Sequence, residues 1–170
     1  MKILHISDLH FGMNHRHMIQ PFLDDANLIS PDGIIISGDL TQRARSEQFE
    51  ELRNGFLDKL DTNLVIVPGN HDVQRTVDSE RLVRLLIASL REGKDVVDEV
   101  LLLEDERRLL MRRQQNYQQF AKDFAPYCLS DGEVSHRLDA WMCQIPARGL
   151  TLRFVGFNTA LLAAADDDRG

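Results

Sequence analysis

With 170 residues, of which 43% are apolar and 28% are charged, the chain has the size and composition of one soluble domain with its own core. The net charge of −7 and the pI near 5.3 disfavour a broad nucleic-acid-binding surface, although they are compatible with a local basic groove. The sequence shows no apolar run long enough to span a membrane, no signal peptide before the first predicted strand, and no metal-type or disulfide-type spacing of its two cysteines, so we expect a cytoplasmic protein.

Three short apolar runs predict the strands of an α/β sheet. They lie at residues 2–7, 34–37 and 63–67 and are rich in isoleucine and valine. Apolar residues at helical spacing predict a short helix in the first connection and, in the second, a longer helix from an N-cap at Ser46 to about Leu60. The order strand, helix, strand, helix, strand implies a parallel sheet with right-handed crossovers.

A charged helical segment is expected from Ser79 to about Phe124. Apolar stripes at helical spacing mark its buried faces, and the first stripe consists of four leucines: Leu82, Leu85, Leu86 and Leu90. Such stripes most often serve only as core, with the charges forming a solvated face. Because the segment follows Asp72 directly, it could also cover a pocket, and we interpret it as a helical hairpin or cap inserted into the α/β body.

A β-hairpin is predicted near the end of the chain. Alternating apolar residues at 136–144 and 151–157 favour two antiparallel strands, joined by a glycine-containing loop at 146–149. Together with the preceding elements, the hairpin divides the chain into three regions: the first half of an α/β domain at 1–77, the helical insertion at 78–125, and the returning hairpin at 126–170.

Metal-competent side chains follow each of the three predicted parallel strands. They form three groups: Asp8 and His10, then Asp39, then Asn70, His71 and Asp72. Ligands of open α/β sheets bind at this carboxyl edge, so we expect the three groups to converge on one pocket. Carboxylate, imidazole and amide groups without a thiolate suit a divalent ion such as Mn, Fe or Zn. Two such ions roughly 3.5–4 Å apart would clamp a phosphoryl group and supply hydroxide near neutral pH.

These groups resemble the first three motifs of the calcineurin-like metallophosphoesterases, in the same order and each at a strand end. The matching motifs are Asp8-Leu9-His10, Gly38-Asp39 and Gly69-Asn70-His71-Asp72. The resemblance implies an α/β/β/α sandwich around a centre of two divalent ions. Asp8 and His10 would hold the first ion. Asp39 would bridge both ions, and Asn70 would hold the second.

The resemblance also implies roles for residues around the ions. His71 would protonate the leaving oxygen or steady the phosphate, and Asp72 would orient His71. Weaker candidates for contact with the substrate phosphate are His15, His17 and Arg43, for which a position on the solvent surface is the commoner outcome.

The later motifs of the family, a lone histidine and a Gly-His-x-His pair, have no counterpart in the sequence. His136 precedes the last predicted strand and does not follow a glycine, so it is a poor substitute. We therefore expect a sandwich that is incomplete at its C-terminus, in which a further C-terminal segment or a partner subunit supplies the remaining ligands.

The favoured function is hydrolysis of a phosphate ester by metal-bound hydroxide, with a phosphodiester such as a cyclic nucleotide as the substrate. One alternative is a DNA nuclease with the same centre, which the acidic pI disfavours. Another is a non-catalytic or split module that retains half of the site and needs a partner. No membrane partner is expected.

Overall fold

Three parallel strands form the first sheet, in the order β1–β2–β3. They are β1 (Ile3–Ile6), β2 (Gly33–Ser37) and β3 (Leu64–Val67). Runs of isoleucine and valine favour this extended conformation because their branched side chains pack well on a pleated, buried surface. The predicted parallel sheet is thus confirmed.

The structure, a computed structural model, describes five stretches of the chain: 1–13, 16–75, 81–94, 96–129 and 140–164.

Two helices connect these strands and bury their apolar sides in a core shared with the sheet. They are α1 (Arg16–Ile29) and α2 (Ser46–Gly55). Leu23 of α1 and Leu52 of α2 join Ile36 of β2 in this core, and each is at most 3% exposed. The helices therefore fix the sheet from which the functional loops emerge.

Helix α2 differs from its prediction at both ends. Its N-cap is Arg45 instead of Ser46, and the side-chain oxygen of Gln48 accepts a hydrogen bond from the Arg45 amide at 3.4 Å. The helix ends at Gly55, the weakest helix former in it, and a separate 3₁₀ turn (Leu57–Lys59) follows. The prediction of a helix in this connection is confirmed, whereas its predicted bounds are wrong.

Four helices occupy the charged segment after β3. They are α3 (Arg81–Arg91), α4 (Val97–Leu102), α5 (Glu104–Arg112) and α6 (Gln115–Phe124). The expected helical character is confirmed, and the described residues form four helices where a helical hairpin or cap was predicted. Helix α6 packs on the α/β body through Phe120, whose ring stacks on that of Phe49 in α2 with 5.1 Å between the centroids. Helices α3 to α5 share a second apolar cluster.

The buried face of α3 matches the predicted leucine stripe only in part, since Leu90 is buried and Leu86 packs partly buried against the same cluster. Leu82 and Leu85 are 67% and 53% exposed, whereas Val83, Ile87 and Leu90 are buried. The buried residues recur at intervals of four and three, so they satisfy the helical period as well as the leucines do. Packing against α4 and α5 selects the face that is buried.

The last two strands form a separate antiparallel hairpin, as predicted. Strand β4 (Ala140–Ala147) pairs with β5 (Leu150–Phe157) through a two-residue turn, where a four-residue loop was predicted. The turn residues Arg148 and Gly149 have φ angles of 47° and 77°, the left-handed conformation that a type I′ hairpin turn requires. Positions 136–139 of the first predicted strand lie outside the described residues.

None of the helices in the described stretches is both long enough and apolar enough to cross a bilayer.

Candidate metal centre

The carboxyl ends of the three parallel strands meet at one open cavity of about 1150 Å³. Five of the residues predicted for the centre line this cavity: Asp8, His10, Asp39, Asn70 and His71. The first two follow β1, the third follows β2, and the last two follow β3. The fold therefore brings together side chains that are up to 63 positions apart in the sequence.

The backbone at three of these residues is left-handed. The φ angles of Asp8, His10 and Asp39 are 57°, 45° and 52°. Aspartate and histidine tolerate this region better than most residues, but it still costs on the order of 1–2 kcal/mol per residue. In the described parts of the chain, only six non-glycine residues have a positive φ, and half of them are these three. Such concentrations of backbone strain are typical of functional sites.

The imidazole of His10 is the centre of the candidate ligand cluster. Its Nε2 atom lies 3.9 Å from Asp8 Oδ1 and 4.0 Å from Asp39 Oδ2, too far for hydrogen bonds. One ligand atom each of His10, Asp39 and His71 lies within 4.8 Å of the others. Two ligands of one ion, each bonded at roughly 2.1 Å, are at most about 4.2 Å apart, so the distance from His10 to each aspartate, taken as a pair, is compatible with coordination of one ion.

The other ring nitrogen of His10 supports the same fit. Nδ1 is buried and has no hydrogen-bond partner in the described structure. The ring meets the imidazole of His71 edge to face, with 4.6 Å between the centroids. The side chain of His10 is 24% exposed, but its buried Nδ1 atom is costly to leave without a partner unless a ligand binds it. The donor set therefore fits a divalent cation.

Two glycines allow the loops that carry the ligands to touch. A Cβ atom on Gly69 would lie 2.2 Å from Asp39 Oδ1 and 2.3 Å from the Asp39 backbone nitrogen. Gly38, with a φ of +87°, approaches so closely that its Cβ would lie 3.0 Å from the Gly69 Cα atom. Asp39 Oδ1 accepts a hydrogen bond from the His71 amide at 2.9 Å, which leaves Oδ2 facing His10.

Asp72 is buried behind the ligand cluster. Its carboxylate accepts hydrogen bonds from the backbone amides of Leu40 at 3.0 Å, Thr41 at 2.8 Å and Gly69 at 2.9 Å. The Thr41 hydroxyl donates a fourth at 3.0 Å. Burial raises the pKa of Asp72 to about 6 although these hydrogen bonds lower it, so the group is still mainly a carboxylate at neutral pH. It ties the loop after β2 to the loop after β3.

His71 is oriented by a backbone carbonyl. Its Nδ1 atom donates to the Gln42 carbonyl at 3.0 Å, because a carbonyl can only accept. The neutral ring therefore carries its proton on Nδ1 and has a lone pair on Nε2. The described hydrogen bonds of Asp72 reach the backbone and Thr41, not this ring. The orienting contact that the resemblance assigned to Asp72 is thus made by Gln42.

Two of the three weaker candidates, His17 and Arg43, do not line the cavity. His17 is exposed on α1, and Arg43 is exposed in the loop before α2. Neither is among the described residues that line the cavity. His15 lies outside the described residues, as does His136.

Sequence reasoning also missed two groups near the centre. The Gln42 carbonyl leaves no signal in the sequence, because any residue with the same backbone conformation could supply it. Arg91 of α3 lines the same cavity as the ligand cluster, although it belongs to no motif and lies 20 positions after His71. Only the approach of the helical segment to the strand ends identifies it.

Comparison with known proteins gives two matches. A model of the calcineurin-like phosphoesterase family matches residues 1–143, a range that includes all three motifs. The glycerophosphodiester phosphodiesterase GpdQ of Enterobacter lignolyticus (strain SCF1) is 33% identical over 84 residues, which cover 42% of this chain and 30% of the relative. The matching part thus spans less than a third of the relative's length.

Proposed function

Because the chain belongs to the calcineurin-like phosphoesterase family, we propose that it is a metal-dependent hydrolase of a phosphodiester, such as a cyclic nucleotide, with a centre of two divalent ions. The observation that carries this proposal is the convergence of five side chains on one cavity at the strand ends: Asp8, His10, Asp39, Asn70 and His71. The left-handed backbone at three of these residues supports a functional site. Similarity to a protein named as a phosphodiesterase favours a diester over a monoester.

The ligand roles follow the positions of the side chains. Asp8 and His10 would hold the first ion, and Asn70 would hold the second. Asp39 would bridge the two ions. The mixture of carboxylate, imidazole and amide oxygen suits Mn, Fe or Zn. When bound, such ions neutralise phosphoryl oxygens and lower the pKa of water to near neutrality.

His71 would supply the proton for the leaving group. The Gln42 carbonyl holds its Nδ1–H, so Nε2 is the nitrogen that faces the reaction. In the protonated ring, Nε2–H can donate its proton to the departing ester oxygen, and the ring then carries its remaining proton on Nδ1, where the Gln42 carbonyl accepts its hydrogen bond. Asp72 would affect catalysis only by holding the loops after β2 and β3 in position.

The arrangement of the sheets and helices around the centre is part of the same proposal. We interpret the parallel sheet and the β4–β5 hairpin as parts of the two sheets of an α/β/β/α sandwich. The helical segment would act as a cap, since Arg91 at the end of α3 lines the cavity.

A second candidate is an incomplete centre without catalytic activity. The described residues bring only three candidate ligands within 4.8 Å of one another, and Asp8 and Asn70 are not among them. Metal analysis of the purified chain separates the two candidates. Two tightly bound ions per chain support the dinuclear hydrolase, whereas weak, substoichiometric binding without turnover supports the incomplete centre.

Removal of metal is expected to abolish hydrolysis of bis(p-nitrophenyl) phosphate. Dialysis against a chelator should reduce the rate to background, and addition of Mn²⁺ should restore it, because the ions supply both charge neutralisation and the acidified water. Circular dichroism before and after dialysis controls for unfolding. Hydrolysis that continues unchanged in the folded, metal-free protein would rule out this mechanism.

His71→Ala is expected to reduce turnover about 10²-fold or more while leaving the metal content unchanged, because general acid catalysis contributes roughly that factor. Metal content by mass spectrometry and kcat are measured on the same sample. His5→Ala is the matched control, since His5 bonds to Ser37 on the same sheet and does not line the cavity. Loss of metal from His71→Ala would instead identify His71 as a ligand.

A further inference from the structure

The cavity is much larger than the metal centre requires. At about 1150 Å³, it exceeds the range of roughly 300–1,000 Å³ that is typical of pockets for whole small molecules. The ligand cluster occupies the end where the parallel strands stop. The remaining walls include Trp141 and Phe154 of the hairpin, and Arg91 with four residues of the segment 159–163. A substrate held at the cluster therefore has room for a substantial second group.

Arg91 is the only arginine or lysine among the described residues that line this cavity. It lies in the last turn of α3, and its Nη1 atom donates to the carbonyl of Leu162 at 3.2 Å. This hydrogen bond holds one side of the Arg91 guanidinium, a planar group that carries five N–H donors. Guanidinium groups bind carboxylate and phosphate through paired hydrogen bonds, which gives them a strong preference for anions of that shape.

The wall beside Arg91 is held in place by a different arginine. Arg113 is fully buried, donates to the Leu161 carbonyl at 3.0 Å, and makes a second hydrogen bond to the Ala163 carbonyl. Arg91, in contrast, is exposed at the cavity. When Arg91 is shortened, the segment loses the bond to Leu162 but retains both hydrogen bonds from Arg113, so that a role of Arg91 in ligand recognition can be separated from a structural one.

We propose that Arg91 binds a second anionic group of the substrate, a carboxylate or a phosphate, at the wall of the cavity that it lines. The substrate class is then a phosphodiester in which one alcohol portion carries another anion, and this narrows the proposed function to diesters other than a simple cyclic nucleotide. This inference rests on the proposed function in one respect only: the reacting phosphoryl group must lie at the cluster of His10 and Asp39.

The proposal is tested with phosphonates of graded length. Each ω-phosphonocarboxylate is compared with the alkylphosphonate of the same chain length, by calorimetry on the Mn²⁺-loaded protein and by inhibition of bis(p-nitrophenyl) phosphate hydrolysis. The wild-type protein is expected to bind at least one phosphonocarboxylate about tenfold more tightly than its alkyl partner, the effect of a charged hydrogen-bonded pair. An α,ω-bisphosphonate series shows whether phosphate is preferred to carboxylate as the second anion.

Arg91→Gln should reduce this preference to about one, and Arg91→Lys should retain part of it, since lysine keeps the charge without the fork of donors. Arg84→Gln is the matched control, because Arg84 is an exposed arginine of the same helix that does not line this cavity. Thermal unfolding of each variant shows that it is folded. Absence of the preference in the wild type at every length, or its persistence in Arg91→Gln, would overturn the proposal.

The outcome also separates this inference from the proposed function. A protein that hydrolyses the diester but shows no Arg91-dependent preference contradicts the recognition of a second anion and leaves the hydrolase intact. A protein that shows the preference by calorimetry but has no hydrolytic activity supports the recognition and contradicts the hydrolase.

Discussion

Gly69→Ala is expected to lose bound metal and to lower kcat for a phosphodiester by at least about 10²-fold, because displacement of a reactive group by about 1 Å costs that much. The new methyl group would lie 2.2 Å from Asp39 Oδ1 and 2.3 Å from the Asp39 backbone nitrogen. A side chain could rotate away from such a contact, but the backbone nitrogen cannot. The loops after β2 and β3 must therefore separate, which moves Asp39 away from Asn70 and His71 of the β3 loop.

The cause of this effect is steric and not conformational. Gly69 has a φ of −106°, which any residue adopts, so the substitution introduces no backbone strain of its own. Gly33→Ala is the matched control, because its Cβ would meet its nearest neighbours, Asn63 O and Ile3 Cδ1, at an ordinary 3.6 Å. Metal content and kcat are measured for both variants. If Gly69→Ala kept the metal content and activity of the wild type, the close approach of the two loops would not be needed for the centre.

The part of the centre that could be predicted from the sequence is the part encoded by side chains at strand ends. Isoleucine-rich runs predict the strands, and the polar residues that follow them predict the carboxyl edge of the sheet as the site. Asp39 and His10 meet there as a consequence of parallel strand order alone. No further information about packing was needed for this step.

The orientation of His71 could not be predicted in this way. The sequence places Asp72 beside His71, and neighbouring carboxylates often orient histidines. Successive residues of this tight 3₁₀ turn point in different directions, however, and Asp72 turns into the interior. The bond to His71 comes from the Gln42 carbonyl, whose position depends on the path of the loop and not on its side chain.

The incorrect part of the predicted buried face of α3 has a similar origin. Two faces of this helix satisfy the helical period, one through Leu82 and Leu85 and the other through Val83 and Ile87. Which face is buried depends on α4 and α5, whose placement the periodicity does not contain. The same placement fixes where Arg91 lies, so a residue that lines the cavity could not be identified before the fold was known.

Asp72→Ala is expected to lower the free energy of unfolding by about 4 kcal/mol, because it leaves buried donors without an acceptor and removes the connection between two loops. Three of these donors are the backbone amides of Leu40, Thr41 and Gly69, and they cannot turn towards solvent. Thr41→Val should cost less, about 1–2 kcal/mol, since it removes the hydroxyl that donates to Asp72 and accepts from the Ala44 amide. Urea unfolding of the metal-free proteins measures both changes.

The urea unfolding of these variants, together with their turnover of the phosphodiester, decides what Asp72 does for catalysis. Asp24→Ala is the control, because Asp24 is an exposed carboxylate that bonds to Gln20 on the surface of α1, and its loss should change stability by about 0.5 kcal/mol or less. If Asp72→Ala unfolded at the urea concentration of the wild type but lost turnover, Asp72 would act on His71 directly. A large loss of stability, with a smaller one in Thr41→Val, would show instead that Asp72 holds the loop after β2 against the loop after β3, and that the geometry of the centre depends on this connection.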